Sequence, residues 1–428
     1  MAMLTPEGYM PRIADAKVER MLGTFGAVCV EGPRWCGKTW TAMNHAVSAI
    51  NVSAGALSMG ERAAMEADPS FALRGETPRL IDEWQDWPSL WDRTKIEVDR
   101  SRESGRFILT GSSTPATKGV SHSGIGRIGT VRMHPMSLFE SGDSTGEVSV
   151  ARLFEGGAAS SGPCDVDLGA MAGLMARGGW PYLVGKDAES VATANADYVS
   201  KTAADACKLD GTTRGRSVRK MEMLIRSLAR NESTIATDVT LLEDIAEYDD
   251  ESVSVPTLAS YSDALGRLFF TEDQPSFATS IRSPNRVGKS PKRRLADPSL
   301  AMAALGLTPE RLLDDPRTYG FMFESLCARD LGIYAEAHGG RLFHYRDERG
   351  REVDAVVEMP DGRWGAFEIK TRFNKTDEAA EGLKNVKRYF ESRGWPGPSF
   401  MCVVCAVAPC AFTRQDGVHV VPVTALGP

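Results

Sequence analysis

Residues 29–43 read CVEGPRWCGKTWTAM and contain the spacing Gly32-x-x-x-x-Gly37-Lys38-Thr39. In a loop of this spacing the glycines let the backbone wrap around a phosphate, and several N–H groups point at the anion. The apolar run FGAVCV before the loop predicts a strand, and KTWTAMNHAV after it predicts a helix. This order predicts a phosphate-binding loop, or P-loop, in an α/β domain with a parallel sheet.

The residues of the loop have distinct expected roles. We expect Lys38 to reach the β and γ phosphates of ATP and the Thr39 hydroxyl to bind Mg²⁺. A helix that begins near Lys38 would place its positive dipole end against the anion. The predicted nucleotide-binding segment consists of Gly32, Pro33, Arg34, Trp35, Cys36, Gly37, Lys38, Thr39 and Trp40.

The whole chain has the composition of a soluble globular protein. It holds 428 residues, of which 42% are hydrophobic and 25% charged, and this length predicts about two to four domains. No run of about eighteen apolar residues occurs, and the first residues lack the order of a signal peptide, so we expect a cytoplasmic protein without membrane contact. The net charge of −7 gives no general attraction to nucleic acid, so such binding would need a local basic patch.

Two of the eight cysteines, Cys402 and Cys405, form a C-x-x-C pair within SFMCVVCAVA. This run predicts a buried strand, in which residues three apart point to opposite faces. The pair is therefore poorly placed to share a metal. We expect buried reduced thiols rather than a zinc or redox pair.

Hydrolysis of ATP requires a carboxylate for the metal and a group that orients water. Residues 78–87, PRLIDEWQDW, supply both at the end of an apolar strand, with Asp82 as the Mg²⁺ partner and Glu83 as the residue that orients water. An acidic pair on a solvated edge is the alternative. The next apolar run, RFILTGSS, ends in Thr110 and Ser112, which either sense the γ phosphate or cap the loop.

A basic stretch follows in residues 124–135, GIGRIGTVRMHP, which contain Arg127 and Arg132. Either could neutralise transition-state charge as an arginine finger, in this chain or from another subunit of a homo-oligomer. A solvated arginine is the alternative for both.

Five ordered stretches carry a resemblance that spans most of the chain: GPRWCGKT, LIDEWQDWPSLWDRTKIEVD, FILTGSS, GRIGTVRMHPMSLFE and RGGWP. The sequence resembles a large family of bacterial and archaeal AAA+-like ATPases with a carboxy-terminal domain of unknown function. The resemblance implies ATP binding by the loop, metal and water handling by Asp82 and Glu83, and a sensor at residues 110–113. Trp35 and Cys36 depart from the family, which usually has a polar and a small aliphatic residue there.

The middle of the chain predicts helices followed by a short hairpin. The stretches SVRKMEMLIRSLARNE and VPTLASYSDALGRLFFTEDQPSF give the order of a winged helix, a module that the same family is expected to carry. The candidate recognition helix near Val255 to Leu268 has only Arg267 as a base, and the acidic segment LEDIAEYDDES precedes it. These features favour a packing module over DNA binding.

A basic run occupies residues 281–297, IRSPNRVGKSPKRRLAD. Its Pro, Ser and Gly content predicts a loop, either a solvated linker or a nucleic-acid contact. The basic residues of this run are Arg282, Arg286, Lys289, Lys292, Arg293 and Arg294.

Residues 351–372, REVDAVVEMPDGRWGAFEIKTR, predict a β-hairpin. A three-residue loop with Gly362 in the left-handed conformation joins two apolar runs. Pairing Met359 with Arg363 then places Asp354 opposite Glu368 on the same face. Lys370 shares that face, because residues two apart in a strand point the same way.

These residues predict a metal-dependent site. Asp354 and Glu368 could hold Mg²⁺, while Lys370 could stabilise charge on an attacked phosphate. Glu324, on a predicted helix, could complete the set. The layout resembles the PD-(D/E)xK nuclease fold, a resemblance that covers about one hundred residues and implies the fold more firmly than cleavage.

We therefore predict three domains: an AAA+-like P-loop ATPase domain over 1–205, a winged-helix-like module over 206–280, and an α/β restriction-endonuclease-like domain over 281–428. One hypothesis is an ATP-driven protein whose nuclease-like domain cleaves DNA or RNA. The other is an ATP-dependent regulator whose nuclease-like domain only binds a protein or nucleic-acid partner. Metabolic kinase activity is disfavoured, since the sequence shows no small-substrate pocket signature.

Overall fold

A computed structural model describes residues 2–53, 55–113, 123–209, 216–246, 253–278 and 290–428. The chain forms two compact units. The first unit comprises Met1–Pro135, Trp180–Tyr182 and Arg267–Phe269, and the second comprises Met136–Gly179, Leu183–Gly266 and Phe270–Pro428. Across the described residues, every helix is too short or too polar to cross a bilayer.

The first unit alternates helices and strands, as the sequence predicted. Its elements are α1 (Ala14–Thr24), β1 (Ala27–Glu31), α2 (Lys38–Asn44), β2 (Ser48–Asn51), α3 (Met59–Ala67), β3 (Arg79–Asp82), α4 (Ser89–Ser101), β4 (Phe107–Gly111) and β5 (Ile128–Arg132).

These strands form a parallel sheet in the order β2-β3-β4-β1-β5. Strands β1 and β4 are almost entirely buried, because helices cover both faces of a parallel sheet and select continuous apolar runs. The carboxyl ends of parallel strands share one edge. The P-loop after β1, the acidic pair after β3 and the polar end of β4 are therefore brought together, and the predicted α/β class with a parallel sheet is confirmed.

The second unit is a mixture of helices and short strands. Its first elements are β6 (Val148–Ser149), α5 (Val150–Phe154), α6 (Leu168–Arg177), α7 (Ala188–Lys208), α8 (Val218–Arg230), α9 (Asp238–Ala246), α10 (Val255–Arg267), α11 (Pro298–Leu305) and α12 (Pro309–Leu313). They are followed by α13 (Pro316–Ala337), β7 (Arg341–Arg346), β8 (Glu352–Glu358), β9 (Trp364–Arg372), α14 (Thr376–Ser392), β10 (Phe400–Val407), β11 (Phe412–Thr413), β12 (His419–Pro422) and β13 (Leu426–Gly427).

Helices α8, α9 and α10 precede a few short antiparallel bridges. Helix α8 buries Met221, Leu224 and Leu228, the spacing of one helical face. Thr271 bridges Leu295, and Gln274 bridges Lys292. This order agrees with the one expected for a winged helix, which stays a prediction.

The largest sheet of the second unit has the order β11-β12-β10-β9-β8-β7. Strands β7, β8 and β9 are antiparallel neighbours, and β10 runs parallel to β9. Both Cys402 and Cys405 are buried within β10, whose strand geometry places them on opposite faces. The predicted division into three domains, like the nuclease-like fold, stays a prediction.

The β8–β9 hairpin has the predicted register. The Met359 backbone N–H donates to the Arg363 carbonyl at 2.8 Å, and Gly362 has a φ of 85°. Ala355 lies opposite Phe367. The same count makes Asp354 and Glu368 the next facing residues.

The end of the predicted basic linker is instead part of the folded unit. Lys292 and Arg294 are 2% and 4% exposed, and Arg293 pairs with Asp238 and Asp273. Neighbouring carboxylates supply the counter-charges that make this burial favourable. Both predicted alternatives are therefore wrong for Lys292 and Arg294, which are buried, and the solvated linker is wrong for Arg293, whose ion pairs are within the unit. Arg282, Arg286 and Lys289 lie outside the described residues.

Glu232 is a buried carboxylic acid in the second unit. It is 1% exposed and accepts hydrogen bonds from the Ser325 hydroxyl at 2.6 Å and the Leu295 backbone N–H at 3.0 Å. Burial raises the pKa of Glu232 to about 8, although these hydrogen bonds and Arg294 oppose the rise. The folded protein therefore holds this proton more tightly than the unfolded chain does.

We predict that Glu232→Gln flattens the pH dependence of stability. In the wild type, the free energy of unfolding should fall as pH rises from the ordinary glutamate range to about 8, by up to ~1.4 kcal/mol per pH unit. Urea titrations from pH 5 to 8 would measure this slope. The exposed Glu243→Gln is the control and should keep the wild-type slope, whereas an unchanged slope in Glu232→Gln would contradict the account.

Candidate functional site

The loop between β1 and α2 contains two glycines, Gly32 and Gly37, in backbone conformations that favour glycine. Gly32 has a φ of 154° and Gly37 a φ of 98°. A Cβ on Gly32 would lie 2.3 Å from the Met133 carbonyl oxygen, so a larger residue does not fit there. The Lys38 ammonium donates to the Pro33 carbonyl at 2.8 Å across the loop. The loop thus has the compact backbone that phosphate binding requires.

Asp82 lies at the centre of the polar edge of the sheet. Its Oδ1 accepts a hydrogen bond from the Thr39 hydroxyl at 2.9 Å and another from the Thr110 hydroxyl. Its Oδ2 accepts one from the Asn51 amide at 2.9 Å. Burial raises the pKa of Asp82, and the hydrogen bonds from Thr110 and Thr39 oppose that rise. The P-loop and three neighbouring strands therefore meet at one carboxylate.

Glu83 is held beside Asp82 in a left-handed backbone conformation, with a φ of 59°. Its backbone N–H donates to the Thr110 hydroxyl at 3.2 Å. The Ser112 hydroxyl lies 3.2 Å from each carboxylate oxygen of Glu83, and the Gln85 amide donates to the same group. The predicted convergence of Glu83 with Thr110 and Ser112 is present, while their catalytic and sensor roles stay predictions.

The residues at this edge fit a magnesium nucleotide. Mg²⁺ prefers oxygen ligands, and the Thr39 hydroxyl and Asp82 carboxylate are already adjacent. Lys38 and the backbone of the loop supply the positive groups for phosphates. Thr39 and Asp82 are therefore the residues that would hold the metal.

The predicted arginine fingers lie at opposite edges of the sheet. Arg127 precedes β5, and its carbonyl accepts the Ala27 N–H at the amino-terminal edge. Its side chain pairs with Asp99 at 2.7 Å. The P-loop follows β1 at the other edge, one strand length of about 16 Å away. The predicted role of Arg127 as an arginine finger for the P-loop of its own chain is therefore wrong. Its action from another subunit stays a prediction.

Arg132 ends β5 at the same edge as the P-loop, opposite Glu31 in the register. Its guanidinium lies over the Phe269 ring at 4.3 Å from the centroid. This stacking is a cation–π contact, which contributes roughly 0.5–1 kcal/mol at accessible sites.

The residues that depart from the family pattern do not block the loop. Trp35 and Trp40 are 43% and 47% exposed, and the Trp35 ring lies 6.4 Å from that of Tyr182. Cys36 is buried and Arg34 is exposed. The indole of Trp35 therefore lies on the surface.

Arg12, which was not predicted from the sequence, binds a backbone carbonyl of the loop. Its guanidinium donates to the Cys36 carbonyl at 2.5 Å and to the His134 carbonyl at 2.8 Å. In a planar trans peptide the C=O and the next N–H point in opposite directions. By holding the Cys36 carbonyl, Arg12 thus directs the Gly37 N–H toward the opposite side of the peptide, where the loop can bind phosphate.

A second polar cluster lies in the second unit, and it contains all four residues of the predicted nuclease-like site. Lys370 donates to Glu368 at 2.9 Å and lies 3.7 Å from Asp354. The Lys292 ammonium lies 2.7 Å from Glu324, 3.1 Å from Glu352 and 3.6 Å from Asp354. The structure therefore brings Glu324, Asp354, Glu368 and Lys370 together with two further residues, Lys292 and Glu352, while the role of the cluster stays a prediction.

The electrostatics of this cluster are those of buried ion pairs. Burial and the neighbouring Asp354 raise the pKa values of Glu324 and Glu368, against the nearby lysines. Burial opposes the charge on Lys292, but Glu324, Asp354 and Glu352 raise its pKa overall.

As arranged, the cluster does not fit a divalent metal. In the part of the chain that the structure describes, no group of three His, Cys, Asp or Glu residues is arranged to hold a metal ion. The Lys292 ammonium lies among the oxygens that such an ion would need. This geometry does not support the predicted metal role of Asp354 and Glu368.

The residues that sequence reasoning missed had little local signal. Asn51 ends strand β2, and the shared edge of parallel strands could have indicated it. Arg12, Gln85 and Glu352 stand in no recognisable motif. Lys292 lay within a run whose composition is typical of a linker.

Three family models match successive parts of the chain. Residues 24–141 match an AAA domain, residues 170–311 match a domain of unknown function, DUF8612, and residues 319–426 match another, DUF4143. The match of residues 24–141 to an AAA domain supports ATP binding and hydrolysis by this part of the chain.

Two uncharacterized proteins and one solved structure illustrate what this chain is similar to. Uncharacterized proteins of Mycobacterium bovis and Mycobacterium tuberculosis are each 24% identical over 363 residues, which is 84% of this chain and 73% of theirs. Among solved structures, the Walker-type ATPase of Pyrococcus abyssi is 13% identical with a TM-score of 0.42, over 71% of this chain and 98% of that one.

We predict that Arg12→Met weakens ATP binding. Loss of the hydrogen bonds to the Cys36 carbonyl should cost ~1.5 kcal/mol, so that the dissociation constant for ATP rises about tenfold. Calorimetric titration of the nucleotide would measure the change. Arg20→Met, an exposed substitution on α1, is the control, and equal affinities in a folded Arg12→Met protein would refute the role.

Proposed function

We propose that this protein hydrolyses ATP at the edge of the parallel sheet, with Glu83 orienting the attacking water. The observation that supports the proposal is the junction at Asp82, where Thr39 and Thr110 donate to one carboxylate while Glu83 is fixed next to it. These are the parts that P-loop hydrolases need: a phosphate loop, a metal carboxylate and a residue for water.

Each group would act on a different part of the reaction. Lys38 and the backbone N–H groups of the loop bind the β and γ phosphates. Mg²⁺, held by Thr39 and Asp82, would neutralise charge on the phosphate oxygens. Water attacks the γ phosphorus, the bond to the bridging oxygen breaks, and ADP and phosphate leave. Ser112 and Gln85 fix the Glu83 carboxylate so that it can accept a hydrogen bond from that water.

We further propose that the nucleotide state controls the second unit, which has a nuclease-like fold. The order of helix α13, antiparallel strands β7 to β9, helix α14 and parallel strand β10 supports this fold. The segments Trp180–Tyr182 and Arg267–Phe269 belong to the first unit, although the residues on both sides of each belong to the second.

For the second unit we favour binding of a nucleic-acid or protein partner over cleavage of phosphodiester bonds. Cleavage of the predicted kind requires carboxylates that are available to a metal. Here Lys292 and Lys370 pair with those carboxylates.

We predict that Glu83→Gln separates ATP binding from hydrolysis. The amide keeps the size of the side chain but accepts hydrogen bonds less strongly, so phosphate release should slow by roughly 10²- to 10⁴-fold while ATP affinity stays near wild type. Lys38→Ala should lose binding as well, because the phosphates lose their cation. Phosphate release and nucleotide binding would be measured on the same preparations.

The exposed Glu66→Gln on α3 is the matched control and should hydrolyse ATP at the wild-type rate. Wild-type hydrolysis in Glu83→Gln would remove Glu83 from the mechanism. Absence of ATP binding by the wild type would overturn the proposed function itself.

A further inference from the structure

The backbone segment that carries Lys292 is fixed by hydrogen bonds to Gln274. Its backbone N–H and C=O each bond to Gln274 at 2.9 Å. The Gln274 side-chain amide donates to the Phe343 carbonyl at 2.8 Å and to the Asp354 carbonyl at 3.1 Å. Strands β7 and β8 therefore fix the segment that carries Lys292, and its position is part of the fold.

Carboxylate oxygens surround the ammonium of Lys292, which donates a hydrogen bond to Glu324. An ammonium has three N–H donors and no acceptor, and carboxylate oxygens of three residues, Glu324, Glu352 and Asp354, lie within 3.6 Å of it. The side chain is 3% exposed, so water is largely excluded from the contact. A buried charge is tolerated when partners of opposite charge compensate it in this way.

Asp354 and Glu368 have further partners in the cluster. Asp354 Oδ2 accepts the Ile369 backbone N–H at 2.8 Å and lies 3.7 Å from the Lys370 ammonium. Glu368 accepts from Lys370 at 2.9 Å. Lys292 and Lys370 thus form ion pairs with the four carboxylates of the cluster.

We propose that Lys292 is the permanent cation of this cluster and that it takes the place of a divalent metal, so the second unit is nuclease-like in fold without being a metal-dependent nuclease. A divalent ion would need the same oxygens at about 2.0–2.6 Å, where it would lie against the ammonium and be repelled by it. The Lys292 backbone is fixed through Gln274 and its side chain is buried, so the ammonium stays among the carboxylates. This inference concerns the second unit alone and does not depend on ATP hydrolysis.

The test is titration of the nucleotide-free full-length protein with Mn²⁺, with bound ion counted by electron paramagnetic resonance. All variants carry Asp82→Asn, which removes a metal ligand of the P-loop. In the protein that retains Lys292, adding Asp354→Asn should leave the number of bound Mn²⁺ ions unchanged, because the cluster binds none. Lys292→Met should gain one Mn²⁺ per chain, lost again on adding Asp354→Asn, whereas Lys292→Arg should gain none.

Thermal unfolding gives a second readout on the same proteins. Lys292→Met should unfold at a lower temperature, and saturating Mn²⁺ should raise its midpoint by a few degrees, because the ion binds only the folded state. Lys387→Met, at a partly exposed position on α14, is the control and should show neither effect.

Two results would overturn the proposal. One is a Mn²⁺ site that is present in the protein with Lys292 and disappears in Asp354→Asn. This comparison does not depend on whether Lys292→Met folds. The other is a folded Lys292→Met protein that gains no Mn²⁺ site.

Discussion

The carboxylate of Asp82 joins four elements of the first unit. Its oxygens accept hydrogen bonds from Thr39 on α2, Thr110 on β4 and Asn51 on β2, at the end of its own strand β3. A buried carboxylate of this kind is stable only when its oxygens are satisfied, since a buried polar group without a partner costs ~1–3 kcal/mol. The parallel order of the strands brings the hydrogen-bond partners to the Asp82 carboxylate. The same order places Lys38 and Glu83 at the same edge of the sheet.

Both polar clusters obey this constraint, but they satisfy it with different partners. At Asp82 the partners are neutral hydroxyl and amide groups, which leave a carboxylate beside the phosphate loop to attract a cation. In the second unit the partners are the lysines Lys292 and Lys370, which are cations themselves. The first arrangement is suited to a magnesium nucleotide, and the second already contains its positive charges.

Sequence reasoning was most successful where a short pattern fixes the geometry. The spacing from Gly32 to Thr39 predicted the loop and the start of α2, and the loop at Gly362 predicted a hairpin register that the structure confirms. In both cases the backbone conformation follows from a few adjacent residues. The convergence of Asp354 with Glu368 then follows from strand geometry alone.

Partners that are distant in the chain could not be predicted in this way. Lys292 lies about sixty residues before Asp354, and only the tertiary fold shows that it is buried. Arg127 has the right chemistry for an arginine finger, but the strand order places it at the wrong edge of the sheet. Arg12 acts on a carbonyl group, and every residue has one, so the sequence carries no signal for that contact.

The most direct test of the central claim is the rate of phosphate release from ATP by the full-length protein and by Asp82→Asn, measured with and without Mg²⁺. The account predicts that the wild type releases phosphate only with Mg²⁺ and that Asp82→Asn, if folded, loses this dependent activity. Magnesium-dependent release at the wild-type rate by Asp82→Asn would contradict it.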